Sequence, residues 1–444
     1  MIRKQFPILI ASSAIALLIF VWFASARTAV INWTDLHQVI DGFGASCADF
    51  YEPLPSEMAD FFFTTSGIGL SLLRTQVVPS AADCISFFAP DGGSCLGVPS
   101  GSTILVGELA IAKQAVARGV TVWSAPWSPP AAMKNNGSFI NGGTLLPANY
   151  SPWAASLAGY AKMMSSNGVP LYALSVQNEP DIIQDYGSST YTSEQLRDFV
   201  PYLYSALQAA GVGSTKIMIA EASQWDFNLT LAAMEDPAVA PKVGILAAHG
   251  YGSKKIVMPM TYGKHVWQTE DSSQSSTYDG SIGDGLSWAR KIHTYLTVAN
   301  VNAWHWWFLS DGPKYGNGPD NGALTDINLN YPKRAFVIGQ WSKFVRPGWS
   351  RIGVTHYFGP LEISAFKDPG NRSFVIVAVN PSDRTVPQVF SMKGFSTSSV
   401  TPWVTSASFG LAAQAPIPVQ GTSFQYALPA SSVTTFAGTA TDGR

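Results

Sequence analysis

The sequence predicts an α/β protein: a (β/α)8 TIM barrel with a C-terminal side β-sandwich domain that also takes N-terminal strands. Three observations carry that expectation. Eight short apolar runs of strand type alternate with longer stretches of helical period, the pattern of a closed parallel barrel. The alternation stops at Arg346-Pro347-Gly348, and only short alternating runs with many Ser, Thr, Gly and Pro follow. A chain of 444 residues, 46% of them hydrophobic, can bury the core of a barrel of about 250 residues and of a second domain of about 100.

In chain order, Arg3 and Lys4 precede an apolar run from Phe6 to Phe23 that ends in Ala24-Ser25-Ala26. A charged start, an apolar core and a small-x-small end predict a signal peptide over 1–26 and a secreted or periplasmic protein. The run approaches membrane-spanning length, so an uncleaved anchor is the alternative, and a core helix the third reading. Residues 27–40 partly alternate and are expected to join the side sandwich. Residues 41–345 hold the barrel. Its candidate strands are Ile40–Ala45, Gly69–Arg74, Val120–Ser124, Leu171–Val176, Ile217–Ala220, Val243–Ala248, His265–Thr269 and Ala303–Phe308. Helical stretches such as Leu105–Arg118, Ala154–Ser166 and Glu194–Ala210 lie between them; in the last, Leu196, Val200, Leu203 and Leu207 share one face. Pro201 is expected to kink or restart that helix. Residues 346–444 read as the sandwich, with strands such as Ser373–Val379 and Ser432–Phe436.

Composition narrows the function. Charged residues are 13% and the formal net charge is −2, so the basic excess of a nucleic-acid binder is missing. Of the three cysteines, Cys84 and Cys95 could close a short loop in an exported protein, leaving Cys47 as a small buried residue. No cysteine spacing resembles a zinc site and the six histidines lack close pairs, so neither a metal nor a cofactor is expected. Aromatics at 12% suit cores and sugar-binding clefts alike. Composition is thus compatible with a polysaccharide or oligosaccharide substrate, and a monomer with no membrane contact after signal cleavage is expected.

Chemistry in such a barrel sits at the C-terminal strand ends. The fourth candidate strand runs into Gln177-Asn178-Glu179-Pro180-Asp181, and the seventh into Glu270-Asp271. Glycosidic cleavage needs one carboxyl to protonate the leaving oxygen and a second to attack the anomeric carbon or activate water. Carboxylates on two separate strand ends can face each other across a cleft, whereas a lone Glu after a strand is more often a plain loop residue.

The strings Asp41-Gly42-Phe43-Gly44-Ala45, Trp123-Ser124-Ala125-Pro126-Trp127-Ser128-Pro129-Pro130, Ser175-Val176-Gln177-Asn178-Glu179-Pro180-Asp181, His249-Gly250-Tyr251, Trp267-Gln268-Thr269-Glu270 and Ala303-Trp304-His305-Trp306-Trp307 stand in order along nearly the whole mature chain. In these the chain resembles glycoside hydrolase family 30 and, within it, the bacterial xylanase branch. The resemblance implies a retaining mechanism with Glu179 as general acid/base and Glu270 as nucleophile. It further implies that Arg74 pairs with the nucleophile and that Asn178 binds the hydroxyl beside the anomeric carbon. Trp127, Tyr251 and Trp306 are candidates for a sugar platform, and His249 for orienting a carboxylate or filling the barrel mouth. The implied substrate is a xylan, cleaved in the manner of an endo-β-1,4-xylanase; a β-1,6-glucan or β-1,6-galactan is the alternative, and a non-catalytic carbohydrate-binding barrel a third. One departure matters. Glucuronate-dependent xylanases carry an arginine after the eighth strand, where this chain has Ser310 and Asp311, with Lys314 and Lys333 as possible substitutes. Recognition of uronate branches is therefore not expected.

Overall fold

The computed structural model describes residues 28–50, 52–77, 104–310, 321–326, 328–355 and 359–443. The expected signal peptide, Cys84, Cys95, Asp311 and Lys314 lie outside the described residues. Among those described, no helix is long and apolar enough to cross a membrane. The chain divides into two compact units, one made of the segment up to His37 with Trp349–Arg444, the other of Gln38–Gly348.

In the first unit, β1 (Thr28–Val39) lies between the strands Ser350–Thr355 and Val386–Lys393 and runs parallel to the second, with Thr28 opposite Val389. Its period of two sends Ala29, Ile31 and Trp33 into an apolar core with Ile376, Phe390, Phe424 and Phe436. Among the described residues the N-terminal segment gives the side domain one long strand, β1. Among the same residues the domain is built from a ten-stranded sheet around that core and a two-stranded sheet of Phe395–Ser396 with Asp442–Gly443.

The second unit is a closed barrel of β2 (Gly42–Ser46), β3 (Leu72–Gln76), β4 (Thr121–Ala125), β5 (Leu171–Ser175), β6 (Lys216–Gln224), β7 (Val243–Tyr251), β8 (His265–Gln268) and β9 (Ala303–Phe308). The strands are apolar on both faces because helices cover them outside and their own side chains fill the inside. Trp123, Ala173, Met218, Ile245 and Trp267 form the inner packing. Glycine is required at one point of that filling: a Cβ on Gly44 would collide with the His305 ring and lie 2.8 Å from the Leu72 carbonyl.

Helices follow most strands, but the β7–β8 connection, residues 252–264, has none. Gly252, Pro259 and Gly263 within thirteen residues disfavour one. The helix Ser193–Ala209 continues through Pro201 without the expected restart. Thr192 and Gln195 cap its start reciprocally. Arg197, whose carbonyl loses its partner to Pro201, lies on the half-buried outer side, where water can take the vacancy.

Candidate active site

Eight strand ends converge on a cavity of about 600 Å³ lined by Trp127, Asn178, Glu179, Tyr186, Tyr251, Glu270 and Trp307, among others. Glu179 is fixed by its own backbone. It adopts a left-handed φ of 46°, held because its N–H donates to the Glu221 carbonyl at 3.1 Å and Pro180 follows it. Asp181 ties the same loop to β6, accepting from the Ser223 N–H and hydroxyl at 2.8 Å each. Gln177 donates to the Trp127 carbonyl at 2.6 Å, and the Asn178 N–H to Pro126 at 2.9 Å, which lashes β5 to β4.

Arg74 lies beneath the cavity, fully buried. Its guanidinium pairs with Glu270, reaches Glu221 Oε1 at 3.0 Å and donates to Asn178 Oδ1 at 2.6 Å. The rings of Trp127 and Trp123 stand 4.7 and 5.2 Å from it, an aromatic sleeve suited to a desolvated cation. The other oxygen of Glu270 accepts from the Tyr251 hydroxyl at 2.9 Å. Glu179 accepts from Tyr186 at 3.0 Å and lies 3.2 Å from His249 Nδ1, whose Nε2 is 3.5 Å from Glu221 and 3.9 Å from Glu270. One oxygen of Glu179 and one of Glu270 come within 4.8 Å of each other.

Three carboxylates thus share two cations. Burial pulls His249 down, but Glu270, Glu179 and Glu221 together raise it to about 10, which favours the imidazolium. Burial pushes Glu179 up, yet the His249 bond and charge, with Tyr186 and Arg74, leave it below the usual carboxylate range. Glu270 ends above that range, because burial and the Glu179 charge outweigh His249 and Arg74. That order is the inverse of a protonated acid at Glu179 and an ionised nucleophile at Glu270. The charges of Glu179, Glu270 and His249 act on one another, so where their protons sit depends on what fills the cavity. Glu179, His249 and Glu270 could each turn a ligand atom toward one metal ion. Their oxygens already receive donors from Arg74, Tyr251 and Tyr186, a set that supplies positive charge from the protein and suits proton transfer.

Of the residues expected from sequence, Glu179, Glu270, Trp127, Asn178 and Tyr251 line the cavity. Arg74 and His249 do not; both are fully buried and serve the carboxylates. Trp306 is not part of the cavity wall either. It is fully buried against Trp288 of the helix Ile282–Thr297 and donates to the Gly322 carbonyl at 2.8 Å. The error is one of strand parity: His305 and Trp307 face inward, Trp306 outward. Trp307 lines the cavity in its place, its ring 5.9 Å from that of Trp127.

Sequence reasoning also missed Glu221 and Tyr186. Glu221 directly follows the candidate strand Ile217–Ala220, so the strand-end logic that found Glu179 applies to it as well. Like Glu179, it has a left-handed backbone, with φ 47°. Tyr186 sits in an irregular loop with no local signal.

The profile of "O-Glycosyl hydrolase family 30" matches residues 86–243. The chain is 31% identical over 342 residues to the glucuronoxylanase XynC of Bacillus subtilis (strain 168), covering 74% of this chain and 76% of that one. Among solved structures it resembles the glycoside hydrolase family 30 subfamily 8 xylanase Xyn30A from Clostridium acetobutylicum, at TM-score 0.80 and 33% identity over 93% of this chain and 100% of that one. It also resembles a GH30 endoxylanase from Clostridium papyrosolvens C71, at TM-score 0.75 and 30% identity over 93% of this chain and 100% of that one.

Proposed function

The chain belongs to glycoside hydrolase family 30, and from that premise we propose that it cleaves the backbone of a xylan, with Glu179 as general acid/base and Glu270 as nucleophile. The enzyme is a retaining glycoside hydrolase. The observation that supports a retaining pair is the approach of the two carboxylates to within 4.8 Å, while the division of roles follows the family resemblance. Retaining pairs stand about 5–5.5 Å apart, while inverting pairs need about 6.5–9.5 Å to admit a water. The xylanase names of the relatives matched at 30% identity or better favour xylan over a β-1,6-linked glycan.

The first step joins Glu270 to the anomeric carbon as the leaving oxygen takes a proton from Glu179. Tyr251 and Arg74 hold the Glu270 oxygens in line. Glu179 can draw the proton it donates from His249 across their 3.2 Å contact before it passes to the leaving oxygen, and Glu179 is then left a carboxylate. In the second step Glu179 takes a proton from water, which attacks the anomeric carbon and releases Glu270. Asn178, oriented by Arg74, keeps its amide for the hydroxyl beside the reacting carbon.

A panel of xylan, glucuronoxylan, β-1,6-glucan and β-1,6-galactan with product sizing tests the substrate. A clear preference for either β-1,6-linked polymer would sink the xylan reading while leaving the two-glutamate roles intact.

Uronate branches are expected to give no large rate advantage. Among the described residues lining the cavity, three are carboxylates and none is Lys or Arg. Ser310 is buried and shares a hydrogen bond of 2.8 Å with Thr325, and Lys333 heads the helix Lys333–Ser342 outside that lining. Initial rates on glucuronoxylan and on the same polymer with its uronates reduced should therefore agree within severalfold. A fall of about a hundredfold on reduction would show that a cation does grip the branch, as the name of the Bacillus relative suggests for that enzyme.

We read residues 1–26 as an export signal that delivers the enzyme to polymer outside the cytoplasm. The protein recovered outside the cell should begin at Arg27 on N-terminal sequencing. A protein that stays membrane-bound with Met1 intact would instead be anchored.

A further inference from the structure

The cavity has a second polar centre, at the ends of β2 and β3. Asp49, beyond the end of β2, and Gln76, at the end of β3, both line it. In the order of the barrel strands, β2 and β3 lie across the mouth from β6 and β7, which contribute Ser223, Gln224 and Gly252 to the same lining. Glu179 on β5 and Glu270 on β8 stand between those two ends. A sugar chain crossing the mouth past the glutamates therefore extends to Asp49 and Gln76 at one end, and the cavity has room for more than one ring.

Both side chains carry unanswered hydrogen-bonding capacity. Asp49 Oδ1 and Gln76 Oε1 are buried with no partner among the described residues. Burial alone raises the Asp49 carboxyl, to about 7, with no cation opposing it. Buried polar groups are paired in the great majority of cases, so two such oxygens on neighbouring strand ends need an explanation.

Neither residue is loosely held. The fully buried Glu108 accepts from the Asp49 N–H at 3.0 Å and from the Gln76 N–H at 2.6 Å, clamping the two strand ends together. The Tyr160 hydroxyl donates to the Gln76 carbonyl at 2.8 Å. Asp49 adopts a left-handed φ of 65°, a conformation the surrounding structure must enforce. Both backbone N–H groups are held by Glu108 while a side-chain acceptor of each residue is unanswered, which is the state of a preformed site awaiting donors.

We propose that Asp49 and Gln76 form a remote sugar subsite, in which their side-chain oxygens accept hydroxyl groups of a neutral glycan unit lying beyond the one held by Glu179 and Glu270. The proposal rests on the polysaccharide-cleft reading given above. Hydroxyl donors suit both oxygens, and the lack of any Lys or Arg among the described lining residues leaves no counter-charge for an anionic group there.

The test uses two replacements that keep the backbone. Asparagine and glycine are the residues best suited to a left-handed φ, so Asp49→Asn and Asp49→Gly should both fold with wild-type melting temperatures. On linear xylohexaose, KM is expected to rise about tenfold in both, with kcat within about twofold of wild type. A one-sugar aryl β-xyloside, too short to reach Asp49, should be unaffected. An unchanged KM on the hexaose in both variants overturns the subsite, as does an equal loss on the short substrate. If the wild-type enzyme fails on every xylan, it is the xylan reading that falls. The same two variants then decide the subsite on the glycan that the panel identifies.

Discussion

Replacing Glu270 by Gln is expected to lower turnover on every substrate by about 10⁴-fold or more, because no glycosyl-enzyme bond can form. The substitution preserves the volume between Arg74 and Tyr251, so the fold and substrate binding should survive. Replacing Glu179 by Ala should behave differently. Substrates whose leaving group needs no proton should still form the covalent intermediate, and the loss then falls on its hydrolysis. Azide should fit the space that the Glu179 carboxylate leaves beside Tyr186 and His249. It should restore turnover on aryl glycosides and yield a β-glycosyl azide. Steady-state rates with and without azide check the assignment. If both variants lost activity equally on activated substrates and neither responded to azide, the two roles would lose their support.

Much of this architecture was legible in the chain. Buried barrel strands are short and apolar on both faces, so their runs stand out, and each candidate overlaps an observed strand within a few residues. The largest boundary error is β6, expected to end at Ala220 but continuing to Gln224 through irregular pairing with β7. Glu221 was lost in that extension. A polar residue inside a bulged strand breaks the apolar run that marks strands in sequence, while its pairing comes from a neighbour far along the chain. Trp306 and Trp307 show another limit. A run of consecutive aromatics does not reveal which alternate set faces inward, and that parity is fixed by the partner strands. The Asp49–Gln76 pair was invisible for a third reason: its meaning depends on Glu108 joining two strand ends, a contact over 59 and 32 positions.

Arg74→Met is expected to cost about 10³-fold in kcat/KM, and adding Glu221→Gln to it should return at least about tenfold of that loss. The reasoning is a charge count. Glu179, Glu221 and Glu270 supply three negative charges and Arg74 and His249 two positive ones, so the ionised cluster carries −1. Removing Arg74 takes it to −2 inside a buried site. Each remaining carboxyl then binds its proton more tightly, and Glu270, already raised by burial, is the first to be neutralised as a nucleophile. The acidic limb of the pH–rate profile should accordingly move to higher pH. Glu221→Gln alone takes the cluster to zero, loosens the protons shared by Glu179 and His249, and should move the basic limb to lower pH by about one unit. In the double variant the count returns to −1, and both limbs should move back toward their wild-type positions. Arg74 also orients Asn178 at 2.6 Å, and that service is not restored by a glutamine at 221. A double variant no better than Arg74→Met would therefore mean that geometry, and not charge balance, is what Arg74 contributes. Rescue with both limbs returned would establish Glu221 as the residue that sets the protonation of the catalytic pair without touching the substrate.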